Sequence, residues 1–316
     1  MRAESIIVTG SSGLIGRAVS ARLAAAGIHC VGIDLLADEA DRRIDIRATE
    51  RLAPFIEAAS GIVHLAAVSR VTDGERDPIH CMAVNVAATR GILRAALAAR
   101  RRPWVLFASS REVYGQQDRL PVSEDAPCRP IGAYARSKLE AETEAGLARE
   151  AGLRTAIIRL SNVYGSMRDH PDRVVPAFAA AASRGGAMRV DGPDCSLDLT
   201  HLDDVAGGIE RVCELLRSGE RMLPTLHFVS GERTTLRELA GLANALGGGR
   251  ARIIEAPPRP FGARDFVGNP QRARELLGWV ATVPLRTGMA RLMAEMAAPK
   301  NARGAAVEGL GGLATR

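Results

Sequence analysis

The first 160 residues alternate short apolar runs rich in β-branched residues with longer stretches rich in alanine and leucine. The apolar runs predict strands at 6–8, 30–33, 62–65, 104–108 and 155–159, and the stretches between them predict helices at about 14–26, 79–99 and 133–149. Strands that alternate with helices pair in parallel, and the helices cover both faces of the sheet. The alternation therefore predicts an α/β fold built on a doubly wound parallel sheet.

The pattern changes to shorter units after residue 162. Helices are predicted near 174–183, at about 203–216, from about 236 and at 271–277, strands at 188–190, 226–229 and 252–254, and a Pro-rich loop at 256–260. These units predict a smaller C-terminal lobe. The stretch 299–316 is rich in glycine and alanine without a periodic apolar face, which predicts a disordered tail.

Composition narrows the class of protein. Of the 316 residues, 47% are hydrophobic and 25% charged, as in globular proteins, and no apolar run approaches the length of a membrane span. The five cysteines lack CxxC spacing, so neither a disulfide framework nor a thiolate metal site is predicted. The net charge of +6 comes from dispersed arginines and only 3% of residues are aromatic, which disfavours nucleic acid as a partner. We expect a soluble, cytoplasmic protein that binds neither nucleic acid nor a membrane, and no metal.

A glycine-rich turn separates the first strand from the first helix. Glycines in such a turn let the backbone approach a pyrophosphate, whose charge the helix N-terminus stabilises. A tight turn alone would also need glycine, but the position between strand and helix favours dinucleotide binding. The predicted contacts are Gly10, Ser12, Gly13, Leu14, Ile15 and Gly16.

The second predicted strand ends at Asp34, 18 residues beyond Gly16. A carboxylate there accepts hydrogen bonds from the adenosine ribose and repels a 2′-phosphate. No arginine occupies positions 35 to 37 to bind that phosphate. The sequence therefore favours NAD over NADP as cofactor.

Tyr134 and Lys138 stand four residues apart on one predicted helix face. A nearby cation stabilises phenolate, so we expect Lys138 to lower the pKa of Tyr134 for proton transfer near neutral pH. The alternative is a chance pair on an amphipathic helix. Only two of the 42 cationic residues are lysine, Lys138 and Lys300, and the chain has three tyrosines, which makes a chance pair improbable.

The predicted strand 104–108 leads into Ser109 and Ser110. Ligands of parallel α/β sheets bind at the carboxyl ends of the strands. Ser110 is therefore placed to hydrogen-bond the oxygen on which Tyr134 acts.

Eight motifs occur in a fixed order along the chain. They are TGSSGLIG at 9–16, Asp34, Asp45 with Ile46, HLAA at 64–67, Asn85, SSREVYG at 109–115, YARSK at 134–138 and RLSNVYG at 159–165. Together they resemble the extended short-chain dehydrogenase/reductases, in particular the sugar-nucleotide epimerase, dehydratase and decarboxylase group, over about residues 5–295. The resemblance implies a Rossmann-type domain at 1–165, to which about 196–230 return, while the rest of 166–298 is mainly a substrate-binding lobe.

The resemblance also implies roles for individual residues. Tyr134 would be the acid/base, Lys138 would tune it and hold the nicotinamide ribose, and Ser110 would position the substrate. The further cofactor contacts implied are Asp45, Ile46, Leu65, Ala66, Ala67, Asn85 and Ser109, with Asn85 either structural or part of a proton relay. The substrate contacts implied are Ser69, Ser110, Glu112, Asn162 and Arg264.

Two departures from the family pattern bear on the reaction. Arg111 stands where similar 4,6-dehydratases carry the Asp of an Asp-Glu pair, which disfavours ordinary 4,6-dehydration, while Glu112 remains as a candidate catalytic base or as a merely buried residue. Leu197 stands where many epimerases carry an Arg before Asp198, so one expected phosphate contact is missing.

The favoured reaction is NAD-dependent epimerisation, at C4, of a nucleoside-diphosphate hexose or hexuronate, through a transient keto intermediate. The alternatives are decarboxylation or dehydration that uses Glu112, an NAD-linked alcohol dehydrogenase acting on a non-nucleotide substrate, and a non-catalytic NAD sensor. By analogy the helices at 79–99 and 133–149 would form a four-helix bundle in a homodimer.

Overall fold

The structure is a computed structural model that describes residues 4–220, 223–258 and 264–298. The strands are β1 (Ser5–Thr9), β2 (His29–Ile33), β3 (Gly61–His64), β4 (Trp104–Ser110), β5 (Thr155–Leu160), β6 (Asn162–Tyr164), β7 (Ala187–Asp191), β8 (Ser196–Leu197), β9 (Leu199–His201), β10 (Leu226–Phe228), β11 (Thr234–Thr235) and β12 (Arg252–Ala256). The helices are α1 (Leu14–Ala25), α2 (Thr49–Ala58), α3 (Val71–Arg76), α4 (Pro78–Met82), α5 (Ala88–Ala98), α6 (Gly132–Glu150), α7 (Val174–Arg184), α8 (Leu202–Arg217), α9 (Leu236–Leu246), α10 (Gln271–Leu277) and α11 (Leu285–Ala297).

Six parallel strands form the central sheet in the order β10-β5-β4-β3-β1-β2. The chain passes from β1 to β2 at one edge and then crosses back, so that β3 pairs with the other side of β1. The strand order thus reverses between β1 and β3, which opens a crevice at their carboxyl ends. The predicted α/β fold with a doubly wound, Rossmann-type sheet is confirmed.

Helices cover both faces of this sheet because successive side chains of a buried strand point to opposite faces. Ile6 and Val8 of β1 belong to the core beneath α1 and α8, whereas Ile7 belongs to the core beneath α2, α5 and α6. All three side chains are at most 2% exposed. The apolar run that predicts β1 therefore supplies both cores at once.

The later part of the chain builds a second, smaller core. Buried residues of α7, β7, α9 and α11 form it, and β7 pairs in parallel with β12. Two later elements pack instead with the large sheet: β10 pairs with β5, and α8 packs against α1. The lobe and the sheet meet along the carboxyl edge of the central strands.

Several elements differ from the sequence prediction. Helices α2, α3 and α11 were not predicted; α2 carries Pro54 inside a short helix, which weakens its periodic signal. The helix predicted at 79–99 begins at Pro78 and contains a π-helical turn at Ala83–Ala87. The predicted tail at 299–316 and part of the predicted loop at 256–260 lie outside the described residues.

The continuous helical run Pro78–Ala98 has 21 residues and a mean hydropathy of 1.2, so by length and composition alone it could cross a membrane. No apolar run long enough to span a membrane was predicted from the sequence. Ile92, Leu93 and Ala96 of this run are buried in the core beneath the sheet. A core helix of a globular domain has the same length and composition, so the run is weak evidence for a membrane segment.

Gly61 at the start of β3 permits a close contact with Trp104 on the neighbouring strand. A Cβ at position 61 would lie 2.1 Å from Cε2 of Trp104, which is itself buried. We expect Gly61→Ala to lower the free energy of unfolding by about 1–3 kcal/mol through overpacking, as measured by urea titration. Gly241→Ala is the control, since Gly241 lies exposed on α9 with open space around it, and it should leave stability unchanged or raise it by up to about 1 kcal/mol. Equal effects of the two substitutions would contradict this packing argument.

Candidate functional site

One cleft, with a volume of about 1120 Å³, runs along the carboxyl ends of the central strands and into the lobe. The predicted site residues that line it are Gly10, Ser12, Gly13, Leu14, Ile15, Gly16, Asp34, Asp45, Ile46, Leu65, Ala66, Ala67, Ser69, Ser109, Ser110, Glu112, Tyr134, Lys138, Asn162 and Arg264. Asn85 is the one predicted residue that does not line it. The structure thus brings together residues that are up to 254 positions apart in sequence, from Gly10 to Arg264.

The glycine-rich turn is formed by backbone contacts that leave no room for side chains. Gly10 has φ +71, and a Cβ there would lie 2.8 Å from the backbone nitrogen of Ala66. A Cβ on Gly16 would lie 2.1 Å from the carbonyl oxygen of Gly10. Gly13 is the N-cap of α1 and has no side chain to cap the helix. The N–H groups of the first helical turn are therefore not bound by a capping side chain. This cradle fits the pyrophosphate of a dinucleotide.

Two carboxylates lie on the far side of the turn. Asp34 accepts hydrogen bonds from the backbone N–H of Ser12 at 3.0 Å and of Leu36 at 2.9 Å, which fixes its orientation beside the turn. Asp45 forms an ion pair of 2.6 Å with Arg47, and the hydrogen bond from Arg47 holds the pKa of Asp45 below its usual value. Sequence analysis did not single out Arg47, which also lines the cleft.

Ser110, Tyr134 and Lys138 meet in the middle of the cleft. Ser110 ends β4, its hydroxyl accepts from the backbone N–H of Glu112 at 3.2 Å, and it lies close enough to the Tyr134 phenol to lower the pKa of that phenol. The Lys138 ammonium donates to the carbonyl oxygen of Ala108 at 2.9 Å. A proton-transfer group, a hydroxyl that can support it and a buried amine therefore border the same space.

The expected lowering of the Tyr134 pKa by Lys138 is wrong for this arrangement of side chains. Burial raises the pKa of Tyr134 to about 12, against the hydrogen bond from Ser110, and the negative charge of Glu112 raises it further. Burial also lowers the pKa of Lys138 to about 8. Desolvation disfavours both charged forms, and a spacing of four residues on a helix does not reveal its size.

Asn85 does not line the cleft, but it holds Val68, which does. Its Oδ1 accepts from the N–H of Val68 at 2.8 Å, and its Nδ2 donates to the Val68 carbonyl at 3.1 Å and to the Ser137 hydroxyl at 2.9 Å. Asn85 lies in the π-helical turn and is 2% exposed. It joins the loop after β3 to α6, which agrees with the structural alternative for this residue.

Arg111 and Glu112 form an ion pair on the wall of the cleft. Nη2 of Arg111 lies 2.7 Å from Oε1 of Glu112, and the two side chains are 10% and 13% exposed. The guanidinium stacks over the ring of Phe266 at 5.5 Å. The residue that departs from the dehydratase pattern therefore contacts the candidate base directly.

The charged segment 168–173, which precedes α7, also lines the cleft. It was not predicted as part of the site. Arg173 donates to the carbonyl oxygen of Ser69 at 3.1 Å and pairs with Asp169 at 3.2 Å, while Arg70 pairs with Asp172. The positive charge of Arg173 reaches Tyr134, whose pKa it lowers slightly against the effect of burial. The dense run of charges at 168–173, directly after the RLSNVYG motif, was the signal available in the sequence.

The lobe end of the cleft carries the predicted diphosphate contacts. Nδ2 of Asn162 donates to the carbonyl of Asp198 at 3.2 Å, which fixes its side chain, and the backbone N–H of Arg264 donates to Gln116 at 2.9 Å. Leu197 lines this end, where the related pattern has arginine. The buried Asp198 carboxylate instead accepts from the N–H groups of Ser230, Gly231 and Gly268.

Residues 6–223 match the NAD dependent epimerase/dehydratase family. Over 308 residues the chain is 32% identical to a UDP-glucose 4-epimerase of Mycolicibacterium smegmatis, with 90% of this chain and 96% of that protein covered. A solved UDP-glucose 4-epimerase of Thermus thermophilus in complex with NAD is 25% identical, with a TM-score of 0.82 over 92% of this chain and 98% of that one. A dTDP-glucose 4,6-dehydratase of Streptomyces venezuelae with NAD bound is 26% identical, with a TM-score of 0.81 over 92% and 96% of the two chains.

His64 of the HLAA motif is expected to make the free energy of unfolding depend on pH under acidic conditions. Its ring nitrogens bond the hydroxyls of Thr9 at 2.7 Å and Thr89 at 2.9 Å, and burial, with a smaller effect of the Lys138 charge, lowers its pKa from 6.5 to about 3. The folded protein holds His64 neutral while the unfolded chain protonates it below pH 6.5. Its contribution is therefore fully present above 6.5 and is lost, at about 1.4 kcal/mol per pH unit, as the pH falls towards 3.

Urea unfolding of the wild type and of His64→Gln at pH 7.5, 6 and 5 measures this dependence. Other groups titrate in both proteins, so the difference between their slopes isolates His64. We expect the variant to lose stability more slowly below pH 6.5, whatever its stability at pH 7.5. Parallel pH profiles would show that His64 is not held neutral.

Proposed function

The chain belongs to the NAD dependent epimerase/dehydratase family, as its motifs predicted, and from this we propose that it epimerises a nucleoside-diphosphate sugar at C4. The family depends on NAD, which agrees with the cofactor predicted from Asp34. The observation that carries the proposal is that Ser110, Tyr134 and Lys138 meet in a cleft that continues into the lobe, while Glu112 is held by Arg111. Epimerisation needs only the first three groups and a pocket in which a sugar can turn.

In the proposed mechanism Tyr134 exchanges a proton with the C4 hydroxyl of the sugar. Ser110 hydrogen-bonds the same oxygen and supports the charge that develops on it. Held by the glycine-rich turn, Asp34 and Lys138, bound NAD would supply the acceptor and donor of hydride for C4 and a positive charge that favours phenolate at Tyr134. Because burial holds the pKa of Tyr134 at about 12, the phenol retains its proton at neutral pH until other charges are added.

We assign the remaining residues as follows. Residues 1–165, together with about 196–230, would form the cofactor domain, and the remainder of 166–298 would form the substrate lobe. The turn at 10–16 would hold the pyrophosphate of NAD, Asp34 the adenosine ribose, Asp45 and Ile46 the adenine, and Lys138 the nicotinamide ribose. Residues 65–67 and Ser109 would line the cofactor's path, with Asn85 positioning the loop. Ser69, Glu112, Asn162 and Arg264 would contact the nucleotide sugar.

Similarity to a dehydratase of known structure makes dehydration the second candidate reaction. Decarboxylation is considered together with it, because both reactions would use Glu112. The ion pair with Arg111 argues against a free carboxylate base at this position. A plain alcohol dehydrogenase or an NAD sensor would not need a pocket for a nucleotide sugar. A sensor would also not need acid/base groups. The products formed from nucleotide sugars distinguish all of these.

Incubation with UDP-, dTDP-, GDP- and CDP-sugars and catalytic NAD, followed by mass spectrometry and proton NMR, tests the proposal. We expect an isomer of unchanged mass and no net NADH. Tyr134→Phe should lower kcat at least about 100-fold, since it removes the proton-transfer group, while retaining the fold and NAD binding. Arg136→Ala, an exposed change on the same helix, should keep kcat within a few-fold of wild type. Loss of 18 or 44 mass units, or stoichiometric NADH, would replace epimerisation by dehydration, decarboxylation or simple oxidation.

We further propose a homodimer built on α4, α5 and α6. Ile79 on α4 and Leu147 on α6 are 84% and 53% exposed, and an interface built on these helices would bury them. The five cysteines are free thiols, which suits a cytoplasmic location. Light scattering should give twice the chain mass, and Leu147→Arg should shift the protein towards monomer while Leu276→Arg, exposed on α10 away from these helices, should not. A monomeric mass for the wild type at micromolar concentration would refute the dimer.

A further inference from the structure

Arg111 is a buried cation whose charge is compensated by its sequence neighbour. It begins the 3-10 turn at Arg111–Tyr114 that follows β4, and it is 9% exposed. Within the described part of the chain its ion-pair partner is Glu112 alone, and its Nη1 is buried without an acceptor. The guanidinium also lies over the ring of Phe266, with its carbon 5.5 Å from the ring centroid. Separation of the pair would leave a buried charge uncompensated, so the closed pair is strongly favoured.

Glu112 lies where a carboxylate can reach the substrate. It lines the cleft together with Ser110 and Tyr134, and its charge is close enough to raise the pKa of the Tyr134 phenol. In the closed pair Oε1 is bound by Arg111 at 2.7 Å. A carboxylate oxygen that is paired with a guanidinium at this distance is occupied, so it is not free to take a proton from carbon.

A sugar oxidised at C4 is sensitive to bases. The ketone acidifies the hydrogens on C3 and C5, and a free carboxylate can take one of them as a proton while the C–H electron pair forms the enolate double bond. The enolate is then reprotonated, or it expels a hydroxyl from the next carbon, which leaves as water with the proton. Neither route needs an oxidant or reductant, so an epimerase must suppress both by controlling the bases in its cleft.

We propose that Arg111 determines reaction specificity: it holds Glu112 in a closed ion pair, so that the carboxylate accepts a hydrogen bond from a sugar hydroxyl and does not act as a base on the 4-keto sugar. The inference rests on the proposed function, since a ketone forms in the cleft only if C4 is oxidised there. Arg111 acts through Glu112 and is a positioning residue.

The test supplies the ketone directly. UDP- and dTDP-4-keto-6-deoxyglucose are incubated in D₂O with NAD-loaded enzyme and no hydride donor, and proton NMR follows the loss of the C3 and C5 signals. Wild type, Glu112→Gln and Arg111→Lys should exchange slowly. Arg111→Met should exchange at least about ten-fold faster, because the Glu112 carboxylate is then free to act as the base, and Arg111→Met/Glu112→Gln should return to the wild-type rate.

Three outcomes would overturn the inference. They are wild type exchanging as fast as Arg111→Met, the double variant exchanging as fast as Arg111→Met, and Glu112→Gln exchanging several-fold more slowly than wild type. The last comparison keeps the test decisive if Arg111→Met does not fold, and Arg111→Gln, which keeps donors without charge, replaces it in that case. A purely structural Arg111 would change thermal stability but not exchange per folded molecule.

The two proposals fail separately. A protein that forms no C4 epimer from any nucleotide sugar, yet follows the expected exchange pattern, would refute the proposed function alone. A protein that epimerises but does not follow the exchange pattern would refute the role of Arg111 alone.

Discussion

The buried guanidinium of Arg159 on β5 joins the segments that carry the site. It donates to both oxygens of Glu142 on α6, at 2.9 and 2.6 Å, and to the Tyr114 hydroxyl at 2.7 Å. Removal of both charges from water is costly, and a buried pair is tolerated when its remaining donors and acceptors are satisfied. Here a further bond to the carbonyl of Glu124 helps to do so. Tyr114 ends the turn that begins at Arg111, so the placement of α6 against β4, and of Tyr134 against Ser110, depends on this interaction.

Close backbone contact creates the cofactor half of the cleft. The first turn of α1 can approach the ends of β1 and β3 only because Gly10 and Gly16 lack a Cβ. On the other side of the cleft, Gly74 of α3 lies so near Tyr134 that a Cβ would be 2.8 Å from the Tyr134 Cβ. Both Tyr134 and Lys138 are buried. Burial raises the pKa of Tyr134 and lowers that of Lys138.

The charges that line the cleft are arranged mainly as pairs. Arg111 with Glu112, Arg173 with Asp169 and Asp45 with Arg47 each place opposite charges within 3.2 Å. Paired charges orient one another and perturb their surroundings less than isolated ones. The pairs therefore allow a strongly polar cleft in which single groups, above all Tyr134, carry the proton chemistry.

Prediction from the sequence succeeded where one requirement acts within a short stretch. The strand that precedes Gly10, the glycine-rich turn and the spacing of Tyr134 and Lys138 are local features. The structure forms the strand as expected and places the turn, Tyr134 and Lys138 in one cleft. Helix α2 was missed because Pro54 weakens its local pattern, although packing on the sheet stabilises it. Arg173 was missed because nothing in its own segment indicates that it faces Ser69, 104 residues earlier.

The sequence by itself determined the fold class and the family, because these follow from periodicity, glycine positions and motif order, and it predicted a set of reactive side chains. Only the tertiary structure decided how those side chains behave. Burial raises the pKa of Tyr134, where the sequence predicted a lowered one. Arg111, which stands where similar dehydratases carry Asp, forms an ion pair with Glu112. Desolvation and ion pairing depend on which atoms surround a group in space, and that information is distributed over distant parts of the chain.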